Sequence, residues 1–175
     1  TLWSPTGWAR RRYVGYSLSE PARAADELAR VFDCRPDEVY CPTLGEHGEH
    51  VVPVFSRLEV GGEAVEITPE ERTQVLEYVR TVPYEVIEYR GEADSSRWVT
   101  GQGVSRLVVG LLEGTTTGPL GLSVPLDGSY GFEDICLSVP VVLGEEGWTD
   151  IVEWDLADEE FERLERAAES VAADI

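Results

Sequence analysis

The stretch Thr43–Ser56 reads TLGEHGEHVVPVFS and constrains the fold more than any other part of the chain. A short apolar strand is expected to end at Leu44. The chain then turns through Gly45-Glu46-His47-Gly48-Glu49-His50 and resumes as Val51–Phe55. Glycines bracket His47, and glycine reaches backbone conformations closed to other residues. A turn of this kind holds one polar side chain at a fixed point off the end of a strand. Rigid scaffolds commonly present a reactive group in that way.

The elements around this turn follow from local pattern. Tyr13–Leu18 predicts a short strand. Ser19-Glu20-Pro21 predicts a helix start, with a capping hydroxyl, an acid at the positive end and proline in the first turn. That helix runs to about Phe32 with Leu28, Val31 and Phe32 inward. Val39–Leu44 and Phe55–Val60 read as strands, the second closed by Gly61-Gly62. Thr68-Pro69-Glu70-Glu71 is a capping box that opens a helix carrying Val75, Leu76 and Val79. Pro83 is expected to kink or break this helix before Tyr84–Tyr89. Gly91–Arg97 reads as polar loop, and Val99–Glu113 as a helix with apolar residues at helical spacing. Thr115–Gly121 interrupts it. Leu122–Leu126, Cys136–Leu143 and Trp148–Trp154 then read as an antiparallel meander. Asp158–Ala173 is a final amphipathic helix burying Phe161, Leu164, Ala168 and Val171. The order lacks regular βαβ alternation, so the expected class is α+β. Residues 1–11 read as an irregular lead or remnant and residues 12–175 as one domain, without a repeat or a linker.

Composition narrows the partners. The chain has 175 residues, enough for one domain with a proper core. Its 34 acidic residues face 14 basic ones, giving a net charge of −20. All the basic residues are arginine. A surface this acidic repels phosphate, which argues against nucleic acid and anionic membranes as partners. It also self-repels at low ionic strength, and the absence of lysine beside so many carboxylates predicts a salt-adapted protein. Cys34, Cys41 and Cys136 are odd in number and show no CxxC spacing, which fits reduced thiols in a cytoplasmic protein. No apolar run approaches the roughly 18 residues of a membrane span, and no signal-peptide pattern opens the chain. The sequence begins at Thr1 and contains no methionine, so it reads as a piece of something longer.

Several residues carry chemistry. His47 has an imidazole suited to take and return a proton near neutral pH. Glu20 and Arg23 are three apart on a helix and share one face. A carboxylate there can fix the tautomer of a neighbouring imidazole and stabilise its charged form. An arginine there can grip a substrate carboxylate through paired hydrogen bonds, although an ordinary surface ion pair has the same spacing. A metal reading competes, because Glu46, His47, Glu49 and His50 crowd possible ligands together. The bracketing glycines oppose the helix on which paired histidines bind zinc, so no metal is expected. Neither GxGxxG after a strand nor GxxxxGK[ST] is present, and Gly101-Gln102-Gly103 lacks the spacing of a phosphate cradle.

LGEHGEHVVPVFS is similar to the catalytic-histidine signature of the lactate/malate dehydrogenase family, LGEHGD followed by VPVWS- or VPVFS-like residues. Further motifs resemble the family in order along Arg12–Ile175. Ser19-Glu20-Pro21-Ala22-Arg23 sits where the family has LDSAR. Ser96-Arg97-Trp98 is similar to its TxW segment, and Tyr130–Asp134 with Ser138-Val139-Pro140 and Leu143-Gly144 to its YGxxD…SVPxxLG block. The resemblance implies the family's C-terminal, substrate-binding domain, an antiparallel sheet packed against long helices with no Rossmann domain. It also implies roles. His47 would be the proton donor–acceptor with Glu20 as its partner, Arg23 the substrate-carboxylate anchor, and Ser96 a pocket residue. The cofactor would be NAD, held mainly by a domain outside these residues, so the chain alone is expected to be inactive. The substrate would be a small 2-hydroxy or 2-oxo acid. Malate is preferred because the acidic composition and the VEWDL-like end resemble halophile-type malate enzymes. A cytoplasmic homo-oligomer is implied by the same resemblance. Glu20 and Glu49 stand where the family has Asp, and Pro21 is unusual within LDSAR. These departures motivate the alternative of a non-catalytic relic that binds carboxylates or other subunits.

Overall fold

The structure, a computed structural model, describes residues 6–90, 97–114 and 118–174. The expected polar loop at 91–96, Ser96 within it, and 115–117 of the expected interruption lie outside the described residues.

Helix α1 spans Ser19–Phe32 and buries Ala24, Ala25, Leu28 and Ala29. Val31 and Phe32 are only half-buried. Ser19 is not the cap. Leu18 holds that position without a side-chain hydrogen bond, and Ser19 is already helical with its hydroxyl turned to Glu20. Pro21 is the third helical residue, where a backbone N–H has no partner inside the helix to lose. Asp33 ends the helix in the left-handed conformation, its N–H donating to the Ala29 carbonyl.

Five short strands follow: β1 (Val39–Tyr40), β2 (Thr43–Gly45), β3 (Val51–Pro53), β4 (Glu59–Val60) and β5 (Glu63–Ala64). The single strands expected over Val39–Leu44 and Phe55–Val60 are therefore divided. Phe55–Arg57 forms a tight 3-10 turn, and Gly61-Gly62 closes the β4–β5 hairpin with positive φ at both glycines. Tyr13–Leu18 is not a strand either; it makes one isolated bridge, Gly15 with Ser123. Helix α2 runs Pro69–Arg90 from the expected capping box. The Thr68 N–H donates to Glu71 at 2.7 Å and the Glu71 N–H to the Thr68 hydroxyl at 3.2 Å. Pro83 does not end α2. It forfeits one backbone hydrogen bond, and the helix continues past it.

Helix α3 spans Arg97–Glu113, strands β6, β7 and β8 span Leu120–Asp127, Glu133–Gly144 and Gly147–Ile151, and helix α4 spans Asp158–Ala173. The main sheet has the order β3-β2-β7-β6, with β8 also paired to β7, and every pairing is antiparallel. Strands β1, β4 and β5 make a second small sheet. The fold is α+β; among the described residues, antiparallel sheets pack on four long helices.

Two apolar clusters hold these layers together. One joins the main sheet to α4 through Leu44, Val52, Leu122, Leu137, Val139, Leu164 and Ala167. The other joins α1, α2 and β3 through Ala24, Leu28, Val51, Leu58, Val75 and Val79. Leu28 and Leu164 are fully buried, and truncating either to alanine would cost about 2–5 kcal/mol. Strand β3 belongs to both clusters because successive strand residues face opposite sides.

Candidate active site

The β2–β3 hairpin carries His47 at its tip. Its register pairs Gly45 with Val51, leaving Glu46–His50 as the loop. Gly45 sits at φ +86°, and a Cβ there would meet the His50 carbonyl oxygen at 2.7 Å and Val52 Cγ2 at 3.0 Å. Only glycine fits that tight closure. The loop is braced internally, the Gly48 N–H donating to the Glu46 carbonyl at 3.1 Å.

Helix α1 meets this tip with its first turn. The Glu20 carboxylate, only 3% exposed, places Oε1 2.8 Å from His47 Nδ1. The same oxygen lies 3.1 Å from an Arg23 guanidinium nitrogen, so one buried carboxylate oxygen serves both side chains. The extra methylene of Glu relative to Asp does not part it from the imidazole. Burial of a carboxylate is costly unless it is paired and hydrogen-bonded, and here it is both. His47 is half-exposed, and among the described residues its Nε2 has no partner.

The hydrogen bond to Glu20 raises the His47 pKa above its ordinary 6.5. Partial burial works against the charged imidazolium, the Glu20 and Glu46 charges favour it, and Arg23 opposes it. With Nδ1–H donating to Glu20, the neutral imidazole keeps its Nε2 lone pair for an incoming proton.

Of the predicted site residues, His47, Glu20 and Arg23 converge, and Ser96 lies outside the described residues. The donors of the loop do not gather around a point. Glu49 faces Arg80 from α2 at 3.7 Å, and one Glu46 oxygen is buried without a partner. Among the described residues, no three His, Cys, Asp or Glu side chains are placed to hold a metal ion. Tyr16 and Ser19 also reach the site, the Ser19 hydroxyl lying 3.4 Å from Glu20 Oε1. Adjacency to Glu20 could have flagged Ser19, but nothing local in the sequence marks Tyr16.

An imidazole held by a buried carboxylate, with an arginine on the same helical face, is an arrangement that can pass a proton beside a bound anion. The profile of the lactate/malate dehydrogenase alpha/beta C-terminal domain matches residues 20–175, and the chain belongs to this family. It is 36% identical over 165 residues to a malate dehydrogenase of Halobacterium salinarum, covering 94% of this chain and 53% of that protein. To an L-lactate dehydrogenase of Salinibacter ruber it is 34% identical over 170 residues, covering 92% and 52%. The structure of a malate dehydrogenase from Aeropyrum pernix superimposes with a TM-score of 0.89 at 28% identity, covering 98% of this chain and 57% of that one. The chain thus spans about half the length of the relatives it matches.

Proposed function

We propose that this chain is the substrate-binding half of an NAD-dependent 2-hydroxy-acid dehydrogenase that interconverts malate and oxaloacetate in the complete enzyme. The observation that carries the proposal is the 2.8 Å contact of Glu20 with His47, with Arg23 on the same carboxylate. Malate is preferred over lactate because the relative from Halobacterium salinarum bears that name and the chain is acidic and lysine-free.

In the oxidising direction the Nε2 lone pair of His47 takes the 2-hydroxyl proton. Glu20 steadies the imidazolium that forms, as an orienting carboxylate does for a general-base histidine. Arg23 holds the substrate carboxylate with the guanidinium nitrogens that Glu20 leaves open, and Ser96 lines the pocket. In the reducing direction the imidazolium returns its proton to the 2-oxo oxygen. NAD supplies the two-electron chemistry, but these residues do not fit it. Among the described residues every strand pairing is antiparallel, and no glycine-rich turn leads from a strand into a helix. The cofactor is therefore assigned to residues other than these. Residues 12–175 act as one domain, and the whole protein works as a cytoplasmic homo-oligomer.

The test is NADH oxidation by oxaloacetate in molar salt. The chain alone is expected to show no turnover. Fused to the remaining half of the Halobacterium salinarum enzyme it is expected to turn over, and His47→Gln to abolish this. Turnover indifferent to His47→Gln overturns the reading. Carboxylate binding without turnover in the fusion supports a non-catalytic carboxylate-binding domain instead.

A further inference from the structure

Gly15 belongs to the segment that leads into α1, and it ties that segment to the main sheet. The Gly15 N–H donates to the Ser123 carbonyl at 2.6 Å, and the Ser123 N–H donates to the Gly15 carbonyl at 3.1 Å. Ser123 of β6 is paired in turn with Ser138 of β7, and Ser138 with Gly45 of β2. Gly15, Ser123, Ser138 and Gly45 thus form one row across the sheet. At one end, Gly15 stands five residues before Glu20; at the other, Gly45 stands two residues before His47. Both arms of the acid–base pair start from this row.

The contact of Gly15 with Ser123 leaves no room for a side chain. A Cβ on Gly15 would meet Ser123 Cβ at 2.9 Å, and the Ser123 carbonyl oxygen and hydroxyl at 3.3 Å. Ser123 Cβ is fixed to the β6 backbone and cannot swing aside, so the two backbones would have to part. Gly15 does not have a positive φ, so this contact, and not its conformation, is what requires glycine. Ser17, Leu18, Ser19 and Glu20 are all buried. A shift at Gly15 therefore cannot relax into solvent and is carried on to the Glu20 carboxylate. The other arm is seated in the same way, because a Cβ on Gly121 of β6 would fall on the Thr43 carbonyl oxygen at the start of β2.

We propose that Gly15 is a positioning residue for the His47–Glu20 pair, its close approach to Ser123 setting the depth at which the start of α1 offers Glu20 to His47. This rests on the reading of His47 as the proton donor–acceptor. The charged groups facing His47 are Glu20 and Arg23 from α1 and Glu46 from its own loop. Parting Gly15 from Ser123 displaces the α1 groups while Glu46 stays with the imidazole, and the 2.8 Å contact of Glu20 with Nδ1 lengthens. The Glu20 hydrogen bond is the largest of the influences on His47, so its proton is then held less firmly.

The experiment is an NMR titration of the histidine side chains in the 175-residue chain at fixed salt, with His50→Gln assigning the His47 signal. Gly15→Ala is expected to lower the His47 pKa by roughly 0.5. Ser123→Gly takes away the Cβ and hydroxyl that the new methyl meets. Added to Gly15→Ala it is expected to restore the wild-type value, and alone to leave that value unchanged. Gly144→Ala is the control for general loosening, since its Cβ would meet Thr149 Cγ2 at 2.7 Å in the β7–β8 hairpin, and His47 is expected not to move. An unmoved His47 in Gly15→Ala overturns the proposal. A fall that persists in the double variant, or an equal fall on Gly144→Ala, shows a merely structural role and overturns it too. If Gly15→Ala does not fold, the double variant decides: the wild-type titration supports the proposal, and a lowered pKa or an unfolded chain overturns it. None of these readouts needs turnover. A fusion enzyme indifferent to His47→Gln would sink the dehydrogenase reading and leave the titration result standing.

Discussion

Glu160, in the first turn of α4, receives the Ser56 backbone N–H at 2.8 Å and the Ser56 hydroxyl at 2.6 Å, across 104 residues of sequence. The same carboxylate takes the Ala157 N–H at 3.1 Å, so it caps α4 and ties down the turn after β3 together. It is 4% exposed. Removing it leaves three donors without their acceptor. Glu160→Ala is expected to destabilise the protein by about 3 kcal/mol, and Glu160→Gln by about half of that. Urea unfolding at fixed salt measures both.

His47 and Glu20 make stability depend on pH with a definite sign. The folded pKa of His47 is raised above 6.5, so between that value and the raised one the folded protein binds more protons than the unfolded chain. The stability from this contact is complete below the unfolded pKa and is lost as pH rises through the folded pKa. His47 is 53% exposed, so solvent screening keeps the effect small. The stability difference between the wild-type chain and Glu20→Gln should shrink as pH rises above 6.5 and through the raised His47 pKa. Denaturation series across that range check this, and a difference that grows with pH would contradict it.

Two glycines of α3 should respond to alanine with opposite signs. A Cβ on Gly101 meets nothing within 4 Å, so Gly101→Ala is expected to stabilise by roughly 0.5–1 kcal/mol. A Cβ on Gly103 falls on the Tyr16 phenol, so Gly103→Ala is expected to destabilise by about 1–3 kcal/mol. Thermal unfolding of the pair of variants decides it.

Arg23→Lys keeps a positive charge beside Glu20 but loses the planar fork. In the fusion enzyme it is expected to raise KM for oxaloacetate at least about tenfold. Initial rates over a substrate series test this, with an NMR titration of His47 as a control that the Glu20 contact persists.

The net charge of −20 predicts that salt stabilises the chain. At about 1 M the screening length falls to roughly 3 Å, and repulsion between neighbouring carboxylates is largely removed. Tm is expected to climb by about 10 °C between low and molar salt. Calorimetry in sodium chloride tests it, and a flat Tm would rule out charge repulsion as the limit on stability.

The elements most legible in the sequence are those whose stabilising groups are local. Helix α4 has the expected limits because its apolar stripe has a clear period, and α2 starts where Thr68 and Glu71 cap each other. Tyr13–Leu18 has strand-like composition, but a strand needs a partner. Only Gly15 finds one, at Ser123 far along the chain. Of the two outcomes expected at Pro83, a kink or a break, the break does not occur, because one lost hydrogen bond does not end a helix that continues to Arg90. In the site, His47 was marked by its glycines, and Glu20 and Arg23 by their spacing. Tyr16 was invisible because its contacts lie 83 residues away at Val99.

The division of the interior into two apolar clusters has a consequence for the acid–base pair. Glu20 rides on α1, anchored by Ala24 and Leu28 in one cluster, while His47 hangs from a hairpin that enters both, through Val51 in that same cluster and Leu44 and Val52 in the other. The 2.8 Å contact between them therefore leans on both clusters at once, and the hydrogen bond that raises the proton affinity of His47 is set by packing on each side of β3.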